Sequence, residues 1–240
     1  MRLFGYKEIV DLEKKGGSEI NEMVFIDIET AGLKWWPHKM DETGIFIKMS
    51  PIIQIAAVAV DEDLCIQETM EVKIDFPSLH ACPKALEINH FDGALWAKES
   101  RSEIEAVDML KRFLIKHASV AKMSKNGNAY KVAMLAGHNV CGFDRLFLSS
   151  WFGTFNEFFP ADYHVLDTMS LAFIYDQLRN GERTFKDYKL STVARHLGFT
   201  PEKEHDAKED VLTSLRIASE IFSNLSLKDQ YGKVAKTTAE

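Results

Sequence analysis

Cysteine is scarce in this chain, which contains only three in 240 residues. Cys65, Cys82 and Cys141 are odd in number and show no CxxC spacing. This pattern excludes a disulfide framework and argues against a zinc site, because both need cysteines in pairs or close groups. We therefore expect free thiols in a reducing compartment, with the cytoplasm as the default location.

Long apolar runs are also missing, because no stretch reaches the 18 or so apolar residues that a transmembrane helix needs. The chain begins MRLFGYKE, so charged residues come too early for the apolar core of a signal peptide. We therefore expect a protein with no membrane partner.

Positive charge is in deficit: the chain has 29 Lys and Arg against 36 Asp and Glu, a net charge of −7 at pH 7. A protein that coats duplex nucleic acid through its overall field should be basic, because the phosphates are anionic. The composition disfavours that class. It does not exclude an enzyme that binds only a few nucleotides, above all if divalent cations offset some of the acids.

The stretch around which the chain is organised is VFIDIET, residues 24–30. Its Val, Ile and Phe residues favour an extended backbone and predict a buried strand. Side chains two apart lie on one face of a strand, which places the carboxylates of Asp27 and Glu29 side by side. Adjacent buried anions are costly unless cations neutralise them, and such oxygen ligands suit Mg²⁺ or Mn²⁺. The alternative is an edge strand that carries two solvated acids.

Two further motifs follow in order along the chain. Asp144 ends GHNVCGFD at residues 137–144, and Asp210 ends HDAKED at residues 205–210. Together with FIDIET, these motifs resemble those of the DnaQ-like (DEDD) 3′→5′ exonucleases, in the subclass with a histidine five residues before the last aspartate. The resemblance covers about residues 22–224.

The resemblance implies a ribonuclease H-like fold and a hydrolytic site with two metal ions. It implies that Asp27, Glu29, Asp144 and Asp210 hold two Mg²⁺ or Mn²⁺ ions, with Asp27 bridging both. It also implies that His205 takes the proton of the attacking water.

The spacing of His205 and Asp210 indicates where the histidine lies. At 100° per residue, five residues turn a helix by about 500°, so the two side chains would not share one stripe. We therefore expect His205 on the loop or first turn before the helix of Asp210, leaning over the site. A lone histidine is by default a surface or capping residue, but its place within the third motif favours a catalytic role.

Substrate binding is expected at the turn that follows the first strand. By the resemblance, Thr30, Ala31 and Gly32 hold the terminal nucleotide through backbone amides, and Leu33 wedges between the last two bases. Trp35 could add a stacking surface. For Trp35 and its neighbour Trp36, the alternative is core or loop packing.

Several other polar residues have structural interpretations. We expect Asp167 to cap the helix that follows it, Asn139 to fix its loop and His138 to be structural. The basic residues Arg183, Lys186 and Lys189 could track phosphates or form a solvated face, and the sequence does not decide between them.

The order of elements predicts a single α/β domain over residues 1–240. Three successive strands with short joins, followed by helices that alternate with two further strands, describe a mixed five-stranded sheet with flanking helices. A short helix is expected over residues 1–20 and a loosely held tail over residues 226–240.

The function expected from these motifs is 3′→5′ exonuclease activity that releases nucleoside 5′-monophosphates from single-stranded 3′ ends, with DNA favoured over RNA, as in proofreading or repair. An exoribonuclease of the RNA-trimming or oligoribonuclease type is the close alternative, because sugar preference depends on a few atoms in a pocket. A binding module that has lost catalysis is the third. A homodimer or an association with a polymerase is left open.

Overall fold

The computed structural model describes residues 22–35, 39–40, 46–47, 49–77, 81–180, 183–201 and 203–225. The helix predicted over residues 1–20 and the tail predicted over residues 226–240 lie outside the described residues, as does Trp36. Within the described part of the chain, no helix combines the length and apolar character needed to cross a bilayer.

Both classes of secondary structure occur along the whole described chain. The strands are β1 (Met23–Thr30), β2 (Lys39–Met40), β3 (Phe46–Ile47), β4 (Ile52–Val60), β5 (Ile66–Lys73), β6 (Val120–Met123), β7 (Ala129–Gly137) and β8 (Ala161–Asp167). The helices are α1 (Pro83–Ile88), α2 (Gly93–Glu99), α3 (Glu103–Lys116), α4 (Asp144–Thr154), α5 (Thr168–Asn180), α6 (Leu190–His196) and α7 (Ala207–Asn224).

Six strands form one mixed sheet, with β5, β4, β1, β7 and β6 as successive neighbours and β8 also paired with β7. The β1–β4, β4–β5 and β6–β7 pairs are antiparallel. The β1–β7 and β7–β8 pairs are parallel. This mixed sheet with flanking helices confirms the predicted α/β class.

The alternation of side chains along β1 separates two layers of the core. Val24, Ile26 and Ile28 pack on one face of the sheet with residues of α3 and α4. Phe25 packs on the opposite face with residues of α7. Helices α5 and α6 in turn pack against α7. Because side chains two apart share a face, Asp27 lies on the α7 side of the sheet.

The sheet has one strand more than the predicted five. Residues 119–131 contribute to a β-hairpin in which β6 pairs with β7 around a turn at residues 124–128. The side chains of β6 alternate between partly buried and exposed positions, without a buried face. An edge strand of this kind carries little of the apolar alternation from which strands are predicted.

Two short helices, α1 and α2, lie between β5 and α3. Pro83 opens α1, and the side chain of Asp92 caps α2 by accepting hydrogen bonds from the backbone N–H groups of Ala94 and Leu95. Both helices are shorter than two full turns, so neither shows a clear helical period in the sequence. Ser102 and Glu105 have the spacing of a capping box, and the structure shows this box at the start of α3.

The contact between β1 and β7 requires a glycine. A Cβ atom added at Gly137 would lie 2.6 Å from the backbone oxygen of Ile26. Gly137 therefore lets the end of β7 approach β1 just before the loop that leads to Asp144. This approach brings the second motif next to the first.

Candidate active site

A cleft of about 310 Å³ opens near the C-terminal end of β1. All three sequence motifs contribute to its lining, as do residues of α1; the lining residues are Asp27, Ile28, Glu29, Thr30, Gly32, Leu33, Ala85, Ile88, Asn89, His138, Asn139, Phe143, Asp144, His205 and Asp210. The structure thus brings together the four predicted carboxylates and His205, which are spread over almost 200 positions of the sequence.

Asp144 is held at the junction of β1 and α4. It is the first residue of α4, and its Oδ1 accepts a hydrogen bond of 3.0 Å from the backbone N–H of Ile28. Strand β1 pairs with β7 only at residues 23–25, so its later residues are not covered by β7. Asp144 uses that gap to reach the backbone between Asp27 and Glu29.

Asp210 and His205 come from the start of α7. Asp206 caps this helix by accepting a hydrogen bond from Lys208 N–H, so His205 precedes the helix, as the spacing predicted. The backbone of His205 is left-handed, with φ of 61°, and its N–H donates to Asp210 Oδ2 at 3.2 Å. The ligand atoms of Glu29, His205 and Asp210 all lie within 4.8 Å of one another.

The carboxylates carry raised pKa values. Burial and the neighbouring acids raise the pKa of Glu29 to about 8 and that of Asp210 to about 7. Burial also raises the pKa of Asp144 to about 7, against hydrogen bonds from its own N–H and from Ile28 N–H that act in the opposite direction. For Asp27, burial and then the charges of Asp144 and Glu29 raise the pKa well above the usual range.

The site has clustered carboxylate oxygens, one of them without a hydrogen-bond donor, and a divalent cation would neutralise their charge. Asp210 is 8% exposed, and its Oδ1 is buried with no hydrogen-bond partner among the described residues. Unpartnered buried carboxylate oxygens are costly, and oxygen ligands with a nearby imidazole fit Mg²⁺ or Mn²⁺. The residues present therefore fit a metal centre.

In a second cleft of the protein, the acidic side chains are paired with a lysine. It has a volume of about 300 Å³ and is lined in part by Glu71, Lys73 and Glu99. Lys73 Nζ lies 3.3 Å from Glu71 Oε1 and 3.1 Å from Glu99 Oε2, so the protein itself neutralises these acids. The cleft at β1 lacks such a cation in contact with its carboxylates, among the described residues.

The turn after β1 forms one lip of the cleft. Thr30 Oγ1 donates to Gly32 O at 2.7 Å, and a Cβ atom added at Gly32 would lie 2.6 Å from Ser50 Oγ. Ala31 is fully buried, whereas Leu33 is 78% exposed. The turn therefore holds its backbone against the protein and projects the Leu33 side chain into solvent at the cleft.

Trp35 is not among the residues that line the cleft. It is partly buried and packs against the hydrophobic core on the α3 and α4 side. This placement favours the packing alternative over the stacking surface.

Helix α1 supplies a part of the cleft that sequence reasoning missed. Asn89, just after α1, is buried and donates from Nδ2 to Thr30 O at 2.9 Å, which ties the helix to the turn. Ile88 lines the cleft with 42% of its surface exposed. These residues lie more than 50 positions from the turn, in a segment without periodicity, so no local pattern could have placed them there.

The loop between β7 and α4 is fixed by Asp167. Its carboxylate accepts hydrogen bonds from Met169 N–H, at the start of α5, and from the N–H groups of Asn139 and Cys141. Asp167 therefore caps its helix, as predicted, and also holds the second motif in place. Asn139 itself has a left-handed backbone, with φ of 60°.

His138 lines the cleft and is held on both sides. Its Nε2 lies 2.8 Å from Tyr188 O and its Nδ1 lies 3.0 Å from Thr168 Oγ1. Burial lowers its pKa, which favours the neutral ring with Nε2–H donating to Tyr188 O.

The chain resembles several solved structures of exonuclease I. Against E. coli exonuclease I in complex with a 5cy-dT13 oligonucleotide, the TM-score is 0.66 at 16% sequence identity over 88% of this chain and 43% of that chain. The zinc-bound form of the E. coli exonuclease I–ssDNA complex gives 0.64 at 15% identity over 88% and 42%. Exonuclease I from Methylocaldum szegediense gives 0.63 at 16% identity over 85% and 41%.

These similarities establish that the fold is ribonuclease H-like. The chain spans between two-fifths and one-half of the length of these exonuclease I chains. No family model and no curated protein matches the sequence.

Proposed function

We propose that this protein is a divalent-metal-dependent 3′→5′ exonuclease that releases nucleoside 5′-monophosphates from single-stranded DNA ends. The observation that carries the proposal is the convergence of Asp27, Glu29, Asp144 and Asp210 in one cleft, with raised pKa values and with a buried oxygen of Asp210 left without a partner. The presence of His205 in the same cleft adds an imidazole, the side chain that most often serves as a general base.

In this proposal the four carboxylates would hold two Mg²⁺ or Mn²⁺ ions. Bound ions of this kind acidify a water molecule and stabilise negative charge on the phosphate and the departing 3′-oxygen. Asp144 is well suited to serve as a metal ligand in a fixed orientation, because its Oδ1 accepts a hydrogen bond from Ile28 N–H. Asp210 is oriented in the same way by His205 N–H.

His205 acts as the general base. It is exposed and lies outside α7, so its ring is free to lean over the site and take a proton from the attacking water. Its left-handed backbone sets this direction, and the hydrogen bond from its N–H to Asp210 couples the base to the ligand set.

The substrate end is held between the turn after β1 and helix α1. Thr30 and Gly32 line the cleft and face the terminal nucleotide, and Leu33 lies between the last two bases. Ala31, predicted to share this role, is fully buried, and its N–H donates to Pro51 O at 2.8 Å, so its amide does not bind the substrate. Ile88, also apolar and exposed in this cleft, adds a second apolar surface on the α1 side. We do not include Trp35 among the substrate-binding residues, because it packs against the core.

DNA is favoured over RNA as the substrate. Two of the similar E. coli exonuclease I structures are complexes with dT13 oligonucleotides and another is an ssDNA complex, which supports the same substrate class here. Cleavage of matched DNA and RNA oligonucleotides distinguishes this proposal from its exoribonuclease alternative, and complete absence of Mg²⁺-dependent cleavage on both would point to a binding module.

Asp27→Asn should abolish the degradation of a 3′-labelled single-stranded oligonucleotide in Mg²⁺. The substitution removes a ligand charge while keeping the shape of the side chain. Asp63→Asn, at an exposed acid in the turn between β4 and β5, is the matched control and should keep wild-type activity. If Asp27→Asn retains more than about one-tenth of wild-type kcat, less than about 1.4 kcal/mol of barrier, the ligand assignment is wrong.

His205→Ala should lower kcat by about 10²–10⁴, the usual effect of losing a positioned base. At saturating Mg²⁺ the acid limb of the pH–rate profile should disappear with the imidazole, while affinity for an uncleaved oligonucleotide should change little. The control is His164→Ala, at a side chain 68% exposed on β8. A His205→Ala profile that matches wild type would remove this residue from the mechanism.

Leu33→Ala should reduce kcat on oligonucleotides by about 10- to 100-fold, because the scissile phosphate would be less well placed. Turnover of thymidine 5′-monophosphate p-nitrophenyl ester should be unchanged, since this ester has no second base to wedge. Ile66→Ala, at an apolar residue 50% exposed on β5, should affect neither substrate. Equal losses on oligonucleotide and ester would assign Leu33 to the fold instead.

A further inference from the structure

Residues 183–189 form a loop directly behind one wall of the cleft, and we refer to it as the basic loop. Tyr188 O accepts a hydrogen bond of 2.8 Å from His138 Nε2, and His138 lines the cleft. The backbone of the basic loop is therefore one side chain away from the space that the proposed function assigns to the 3′ end of the substrate.

The basic loop is fixed by a single buried carboxylate. Asp176 on α5 has no exposed surface. It accepts hydrogen bonds from Thr184 N–H at 2.9 Å, Thr184 Oγ1 at 2.5 Å, Phe185 N–H at 3.2 Å and Tyr188 Oη at 2.9 Å. A loop with this many bonds to one anchor presents its side chains in a defined arrangement, so a ligand that binds there loses less entropy in ordering the protein.

The side chains that the basic loop presents are cationic. Lys186 and Lys189 are exposed, and neither forms an ion pair with another described residue. Arg183 donates to the backbone oxygens of Phe185 and Lys186 and lies 5.2 Å from the centre of the Tyr188 ring. Three basic residues against one acid, Asp187, give the loop a net charge of +2 in a chain whose net charge is −7.

An exposed aromatic ring adjoins these charges. Phe173 on α5 is 49% exposed, and its ring centre lies 5.6 Å from that of Tyr188 in an edge-on arrangement. Tyr188 in turn carries Arg183 over its ring. Cations that alternate with an accessible aromatic face are the combination that binds single-stranded nucleic acid without sequence preference.

We propose that the basic loop and Phe173 form a second binding site for the substrate strand, upstream of the nucleotides in the cleft. Lys186 and Lys189 bind backbone phosphates, and Phe173 stacks on a base. This inference rests on the proposed function and adds to it a preference for single strands long enough to reach from the cleft to the loop. Phosphate is the partner that the charge favours, because the loop is a local cationic surface on an acidic protein.

The test compares a thymidine 3-mer and a thymidine 12-mer, both labelled with fluorescein at the 5′ end, by fluorescence anisotropy. The protein carries Asp27→Asn to prevent cleavage, and binding is measured in Mg²⁺ between 50 and 200 mM NaCl. We expect the 12-mer to bind more tightly than the 3-mer. Lys186→Ala with Lys189→Ala should remove most of this advantage and leave the 3-mer unaffected.

The salt dependence identifies phosphate contacts directly. Each phosphate contact to a single strand contributes about 0.7 to the slope of log K against log [salt], so losing two contacts should reduce the slope for the 12-mer by about 1.4. Between 50 and 200 mM NaCl, the protein with both lysines should therefore lose about seven-fold more affinity for the 12-mer than the double lysine variant loses. The control, Arg112→Ala with Lys125→Ala, also removes two positive charges, from α3 and from the turn between β6 and β7, and should leave the slope unchanged.

Phe173→Ala separates stacking from charge. It should weaken binding of the 12-mer by about ten-fold at every salt concentration, within the range for one stacked base, without changing the slope or the affinity for the 3-mer. An unchanged affinity would remove Phe173 from the site.

The outcomes separate this inference from the proposed function. The second site is overturned if the lysine pair and its control behave alike, if the 12-mer binds no better than the 3-mer, or if the lysine pair weakens the 3-mer equally. The last result would indicate damage to the cleft or to the fold. The proposed function fails instead if the wild-type protein does not shorten either oligonucleotide in Mg²⁺, whatever the binding data.

Discussion

Repulsion among the buried carboxylates of Asp27, Glu29, Asp144 and Asp210 is the constraint on which the rest of the structure depends. Burial raises the cost of ionising each group, and each neighbouring charge raises it further. The pKa is about 8 for Glu29 and about 7 for Asp144 and Asp210, and that of Asp27 is raised well above its usual range. A fold that holds such a group together must derive its stability elsewhere. Here it does so from the two hydrophobic layers that cover the faces of the sheet.

The same elements that form these layers also position the acids. Strand β1 sends its even-numbered residues, such as Ile26, into one layer, and by alternation directs Asp27 and Glu29 towards α7. The first turn of α7 brings Asp210 to that face. Gly137 lets β7 approach β1, which brings the loop that leads to Asp144, the first residue of α4, next to the strand. Packing and chemistry therefore depend on the same alternation, and a one-residue shift of β1 would exchange core and site.

Much of this arrangement could be predicted from the sequence, because it is local or motif-based. Alternation predicted that Asp27 and Glu29 share a face, and helical geometry predicted that His205 precedes α7. The hairpin strand β6 could not be recognised, since an edge strand lacks a buried face. The contribution of Ile88 and Asn89 was also hidden, because it depends on where α1 packs and not on any property of α1 itself. For Trp35 the sequence left a stacking surface and packing as alternatives, and its partly buried position against the core favours packing, which depends on tertiary contacts that the sequence does not display.

The measurement that tests the central claim most directly is the thermal unfolding midpoint of wild type and Asp210→Asn at pH 5 and pH 8, in EDTA and in Mg²⁺. Raised pKa values mean that the folded protein keeps protons that the unfolded chain loses between about pH 4 and pH 8, so the metal-free wild type should lose stability across this range. In EDTA at pH 8, the unfolding midpoint of Asp210→Asn should be higher than that of wild type, by about 2–4 °C for each kcal/mol gained in the free energy of unfolding. At pH 5 the two midpoints should lie closer together. Mg²⁺ at pH 8 should raise the wild-type midpoint more than that of the variant. A variant that is less stable than wild type by the same amount at both pH values, and that Mg²⁺ stabilises equally, would contradict the account.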